Sequence, residues 1–153
     1  MVEERLRELG LELPQIPAPV AAYVPGVCSD GIIYTSGQLP TVKGEVRTGK
    51  LGADMDVEDG YEAARICALN CLAVVKSLAG SLDRVERVLK VTGFVNSTPE
   101  FSAQPKVVNG ASELLQQMFG DRGVHSRSAV GVSSLPLGAC CEVELTVKLK
   151  KEE

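Results

Sequence analysis

Residues 124–149, VHSRSAVGVSSLPLGACCEVELTVKL, read as two extended runs joined by a turn. The second run alternates: Cys141, Val143, Leu145, Val147 and Leu149 fall on one face, and Glu142, Glu144, Thr146 and Lys148 on the other. That period of two is the signature of a half-buried strand. The first run sets Arg127 among the small residues Ser126, Ser128, Ala129 and Gly131. Small neighbours leave room beside a guanidinium, whose flat fork of donors suits a carboxylate. With a turn at residues 135–138 the two runs form a hairpin, in which Arg127 lies opposite Thr146. Bringing it opposite Glu142 requires a turn nearer Ser134 or a bulge.

Upstream, residues 2–9 carry a short helical pattern ended by Gly10, and Pro14, Pro17 and Pro19 favour extended chain. Two β-prone runs flank Ser29-Asp30-Gly31 as a hairpin, closed by Gly37 to Pro40. Residues 41–54 read as a Gly-rich loop with a short strand near residues 45–47. Asp56 suits an N-cap, with Glu58 and Asp59 in the first turn of a helix running to about Ala79. Its stripe is Ala64, Ala68, Cys71, Leu72, Val75 and Leu78. Residues 85–96 return to alternation, and Pro105 opens a second helix running to about Phe119, with Asn109-Gly110 a weak point inside it. The order β-β-(β)-α-β-α-β-β predicts one α+β domain over residues 1–153: a mixed sheet with both helices on one face and right-handed crossovers. The uncovered face predicts a closed oligomer.

The chain has 153 residues and a net charge of −4 with both signs dispersed, which argues against nucleic acid as a partner. No apolar run is long enough for a membrane span and the charged N-terminus lacks the pattern of an export signal, so a cytoplasmic protein is expected. Five cysteines accompany a single histidine, His125, with no CxxC. Buried structural thiols are expected rather than disulfides or a zinc site. Cys140 and Cys141 are expected on opposite faces of their strand. No nucleotide loop is present, and no serine or cysteine has a histidine and an acid arranged around it.

Each candidate residue has a functional and a plain reading. Arg127 is a carboxylate clamp or the partner of a surface acid. Glu142 positions a water or sits on the solvated face of a strand. Tyr23 and Tyr34 line a pocket or the core. Thr35 to Gln38 offer hydroxyls and an approachable backbone at Gly37, or merely end a strand. Asn109 faces a partner or solvent.

Taken in chain order, AAYVPGV around Tyr23, IIYTSGQLP at 32–40, VTGFVNSTPEF at 91–101, VVNGASELL around Asn109, SRSAVGVSSLP at 126–136 and CEVELTV at 141–147 resemble the Rid/YjgF family. Its members are reactive intermediate (enamine/imine) deaminases, also described as L-PSP endoribonucleases or translation-initiation inhibitors. The likeness spans residues 17–149, leaving 1–16 as an N-terminal extension. It implies a chorismate-mutase-like fold and a homotrimer with clefts between subunits. It implies that Arg127 anchors a substrate carboxylate and that Glu142 stands near the hydrolytic water. Ser36 and Gly37 would contact substrate, with Tyr23 from a neighbouring subunit, Asn109 near the subunit boundary and the Ala129 carbonyl holding water. The implied reaction is hydrolysis of a small 2-imino acid to a 2-oxo acid and ammonia, with no metal or cofactor. A non-catalytic trimer that binds small carboxylates, or an endoribonuclease, are the alternatives. Ala129 replaces a frequent cysteine, His125-Ser126 a proline-alanine type pair, and Gly131 a frequent acid. With the insert near residues 49–56, these mark a divergent, longer subgroup.

Overall fold

The structure, a computed structural model, describes residues 1–16 and 22–152. The expected extended chain at Pro17 and Pro19 lies outside them. In chain order the elements are α1 (Val2–Glu8), β1 (Gly26–Ser29), β2 (Ile32–Thr35), β3 (Thr41–Val42), β4 (Glu45–Val46), α2 (Val57–Ala79), β5 (Val85–Asn96), α3 (Gln104–Phe119), β6 (Ser126–Val132) and β7 (Cys141–Leu149). Five strands make one sheet in the order β1-β2-β7-β5-β6, and β3-β4 pair separately. This is a mixed α+β fold, and no helix among the described residues is long and apolar enough to cross a membrane.

The expected hairpin of β6 with β7 does not form. β5 lies between them, parallel to β6 and antiparallel to β7. β6 is therefore an edge strand reached from β5 through the α3 crossover, and β7 is central, flanked by β2 and β5. Alternation tells which side chains share a face but not which strand is the neighbour. The opposition of Arg127 to Thr146 goes with the hairpin: Arg127 pairs with Val91, which pairs with Leu145.

Locally the chain does what its residues dictate. Asp30 and Gly31 both take positive φ, 51° and 74°, the two-residue turn whose twist matches β1 and β2. The Asp56 carboxylate accepts from the Asp59 N–H at 2.9 Å, capping α2, and Gly80 ends it with φ 87°. Along α2, Ala64, Ala68, Cys71, Leu72 and Val75 are fully buried, whereas Leu78 is 41 % exposed. Pro105 is the second residue of α3 rather than its first. α1 adds Val2 and Leu6 to the hydrophobic core, and Asp83 accepts from the N–H groups of Val2 and Glu3 at 2.6 and 3.1 Å.

Both long helices cover one sheet face. The Cys71 thiol donates to the Val143 carbonyl at 3.2 Å, and Cys67 and Cys141 sulfurs lie 3.7 Å apart in the core. Burial, opposed by the contact with the Cys141 thiol, pushes the Cys67 thiol up, and burial pushes Cys71 up to about 12. These are unreactive packing residues. Cys140 precedes β7 and is buried like Cys141, so the pair does not split between core and solvent.

Gly110, a weak point by propensity, is what lets α2 and α3 meet. A Cβ there would overlap the Tyr61 carbonyl oxygen, a backbone atom that cannot rotate away. Alanine would gain about 1 kcal/mol of helix propensity, but overpacking costs about 1–3 kcal/mol or more. We expect Gly110→Ala to be net destabilising, read as a lower denaturant midpoint with an unchanged slope.

Candidate functional site

The expected site residues fall into two groups, one on the edge strand β6 and one around the end of β2, with Arg127 and Glu142 on opposite faces of the sheet. On β6, Arg127 and Ala129 share the helix-covered face, because their partners Val91 and Gly93 point at the core. On β7, Glu142 pairs with Phe94, which pairs with Val130, and these three share the uncovered face. That face also presents Tyr34 and Val130, 49 % and 44 % exposed. Arg127 and Glu142 of one chain thus project away from each other.

The first group lies between β6 and α3. Arg127 Nη1 donates to Asn109 Oδ1 at 2.8 Å and to Ser112 Oγ at 3.1 Å. Ser112 also meets His125 Nε2 at 2.9 Å, and His125 Nδ1 lies 2.6 Å from the Gly123 carbonyl. A carbonyl only accepts, so Nδ1 carries the ring proton and the neutral ring offers Nε2 as acceptor. Ser112 then donates to His125 and accepts from Arg127, so its hydroxyl is used both ways. Arg127 forms no ion pair among the described residues. Both N–H groups of Nη1 are occupied, which leaves Nε and Nη2 with donors to spare on an edge strand. Ala129 follows on the same face, its side chain packed against the core.

Ser112 was not singled out from sequence. Its signal is the spacing: Asn109 and Ser112 stand three apart and so share one face of α3. His125, left without a role by sequence, orients Ser112.

Burial, reinforced by the nearby Arg127 charge and opposed by the Gly123 carbonyl, lowers the His125 pKa. The unfolded chain binds this proton more readily than the folded one. Stability from the neutral ring is therefore present above the usual histidine value and lost as pH falls through the lowered one. With one histidine in the chain the assignment is direct. Its NMR midpoint should lie below about 6.5 and rise in Arg127→Met, which removes the repelling charge.

The second group lies around the end of β2. From Tyr34, paired with Thr146, to Gln38, bridged to Val143, the chain takes one residue more than β7 does. This is a β-bulge at Ser36-Gly37, and Leu145 N–H is satisfied there by Thr35 Oγ1 at 2.9 Å. The bulge brings Gly37 against Glu142, whose carboxylate occupies the space a Cβ would need. Burial, and then the neighbouring Glu144 charge, raise the Glu142 pKa. Ser36 Oγ donates to the Val24 carbonyl at 2.7 Å, tying down the segment that carries Tyr23. Tyr23 is 61 % exposed. It lines a cavity of about 650 Å³ together with Gly37, Gln38, Leu39 and Asn70 of its own chain. Tyr34 faces solvent on the uncovered sheet face.

Fold and site together define a small α+β protein whose conspicuous polar residues are split between the β6 edge and the end of β2. The family model described as "YjgF/chorismate mutase-like, putative endoribonuclease" matches residues 3–149, and the chain belongs to that family. Protein TCP17 of Trypanosoma cruzi is 47 % identical over 150 residues, which are 97 % of this chain and 94 % of that protein. "Putative reactive intermediate deaminase TdcF" of Escherichia coli (strain K12) is 28 % identical over 136 residues, 88 % and 92 % of the two chains. Among solved structures, protein Atu1372 of Agrobacterium tumefaciens, described as of unknown function, superposes with a TM-score of 0.89 at 45 % identity, covering 98 % of this chain and 94 % of that one.

Proposed function

We propose that the protein hydrolyses small 2-imino acids to 2-oxo acids and ammonia, at sites that form only where two copies of the chain meet in a homotrimer. The observation that carries this reading is Arg127, a guanidinium positioned by neutral acceptors, with no acid paired to it among the described residues and with Nε and Nη2 left for a bidentate carboxylate. The split of the site supports the oligomer. Arg127, Asn109 and Ala129 stand at the β6 edge of the sheet, while Glu142 stands on the uncovered face with Gly37 against it, and Tyr23 and Ser36 lie at the end of β2, on the opposite side of the sheet from β6. A second copy docked on the exposed Tyr34 and Val130 face supplies the missing half.

The chemistry asks little of the protein. Once its nitrogen is protonated, the imine carbon is electrophilic. A water forms the new C–O bond as it gives a proton to Glu142. The resulting carbinolamine takes that proton on nitrogen; its hydroxyl then gives its own proton to the freed Glu142 carboxylate as the C=O bond forms, the C–N bond breaks and ammonia leaves, and Glu142 returns the proton to solvent. Glu142 suits the exchange, because its raised pKa brings acid and base forms closer to balance near neutrality. Arg127 holds the carboxylate in register, a contribution of positioning rather than bond-making.

The test is ammonia release from imines generated in place by an amino-acid oxidase, alongside binding of a stable 2-oxo acid. Turnover that depends on Arg127 establishes the enzyme. Arg127-dependent binding without turnover makes the protein a carboxylate-binding module instead. Light scattering should give three times the chain mass, and a monomer at micromolar concentration would contradict the shared site.

A further inference from the structure

A second cavity, of about 440 Å³, opens at the far end of β6, lined by Lys50, Ser97, Thr98, Phe101, Gln104 and Gly131. Lys50 lies in the loop before α2, and its ammonium donates to Asn96 Oδ1 at 2.5 Å and to the Ser133 carbonyl at 2.7 Å. Both acceptors are neutral. No carboxylate among the described residues pairs with it, and an ammonium has three donors. Asn96 is itself held, donating to the Ala139 carbonyl at 3.1 Å, so the charge is fixed in place.

Gly131 keeps the cavity open. A Cβ there would come within 2.7 Å of Ser97 Oγ and 2.8 Å of Gln104 Nε2. Ser97 and Gln104, whose Oγ and Nε2 stand where that Cβ would go, put two neutral polar groups on the cavity wall beside the lysine. A fixed cation with no paired carboxylate among the described residues, neutral polar groups and a cleared volume make a receptor for a negatively charged oxygen group. We infer that this cavity binds a small oxyanion, the phosphate or carboxylate of a ligand distinct from the one Arg127 holds. Gly131 stands four residues from Arg127 along the strand, roughly 13 Å. A small 2-imino acid anchored at Arg127 does not span that distance. The inference therefore stands independently of the deaminase reading.

The test is NMR titration of the full chain with inorganic phosphate, and separately with acetate, at ionic strength held constant with chloride. Saturable shifts at Lys50, Thr98 and Gln104 are expected with one anion or both. Lys50→Met should weaken that binding at least tenfold. Gly131→Val, which fills the cavity while keeping the lysine, should do the same, and Arg127→Ala should leave it unchanged. Shifts no larger than chloride produces would overturn the inference. So would wild-type affinity in both cavity variants, or loss of the binding in Arg127→Ala. The anion titration does not read ammonia release, so the two readings fail separately.

Discussion

Arg127→Ala should lower kcat/KM for imine hydrolysis about 100- to 1,000-fold, and weaken 2-oxo acid binding in step. Truncating one partner of a hydrogen-bonded charge pair costs about 2–5 kcal/mol, and each 1.36 kcal/mol is about tenfold in rate. The loss belongs to the carboxylate contact rather than to folding. Arg127 is only partly buried and its partners Asn109 and Ser112 are neutral, so no charge is left stranded by its removal. Arg127→Lys should recover little, since a lysine keeps the charge but cannot grip two carboxylate oxygens with a planar fork. Unchanged ammonia release in Arg127→Ala would end the deaminase reading.

Glu142→Gln should lower kcat about 100-fold, the scale of a lost proton-transfer group, while 2-oxo acid affinity stays near wild type. The pH profile carries the sharper sign. Activity needing ionised Glu142 falls as pH drops through its raised pKa. Glu144→Gln, which removes the second-ranked cause of that rise, should move this limb toward lower pH. Glu144 shares Glu142's face two residues along β7 and reaches it only through charge. A limb that stays put in Glu144→Gln would mean that Glu142 does not titrate in catalysis.

What could be read in the sequence was what short-range chemistry decides. The cap at Asp56, the stop at Gly80, the Asp30-Gly31 turn and the span of β5 all follow from a few adjacent residues. The partner of β6 does not. Pairing it with β7 was the shortest connection, but β6 lies parallel to β5, and only the α3 crossover accounts for that. The error mattered, because a hairpin sets Arg127 and Glu142 a register shift apart in one chain, whereas the sheet sends them to opposite faces. The meaning of Gly110 was hidden for the same reason: its partner, the Tyr61 carbonyl, is remote in sequence. Arg127, Glu142, Gly37 and Asn109 were legible as chemical types. Ser112 and His125, which orient Arg127, and Lys50, which sits in a loop, acquire their meaning from three-dimensional neighbours.

The central claim is that each site takes its halves from two chains, and subunit mixing tests it most directly. Arg127→Ala and Glu142→Gln, each nearly inactive alone, are co-expressed under two affinity tags and the mixed oligomers isolated. An interface between an intact arginine half and an intact glutamate half is whole. Each mixed trimer, whichever variant it holds two copies of, has one whole interface of its three, so activity should return to about a third of wild type. Mixed oligomers no more active than the two parents would contradict a shared site.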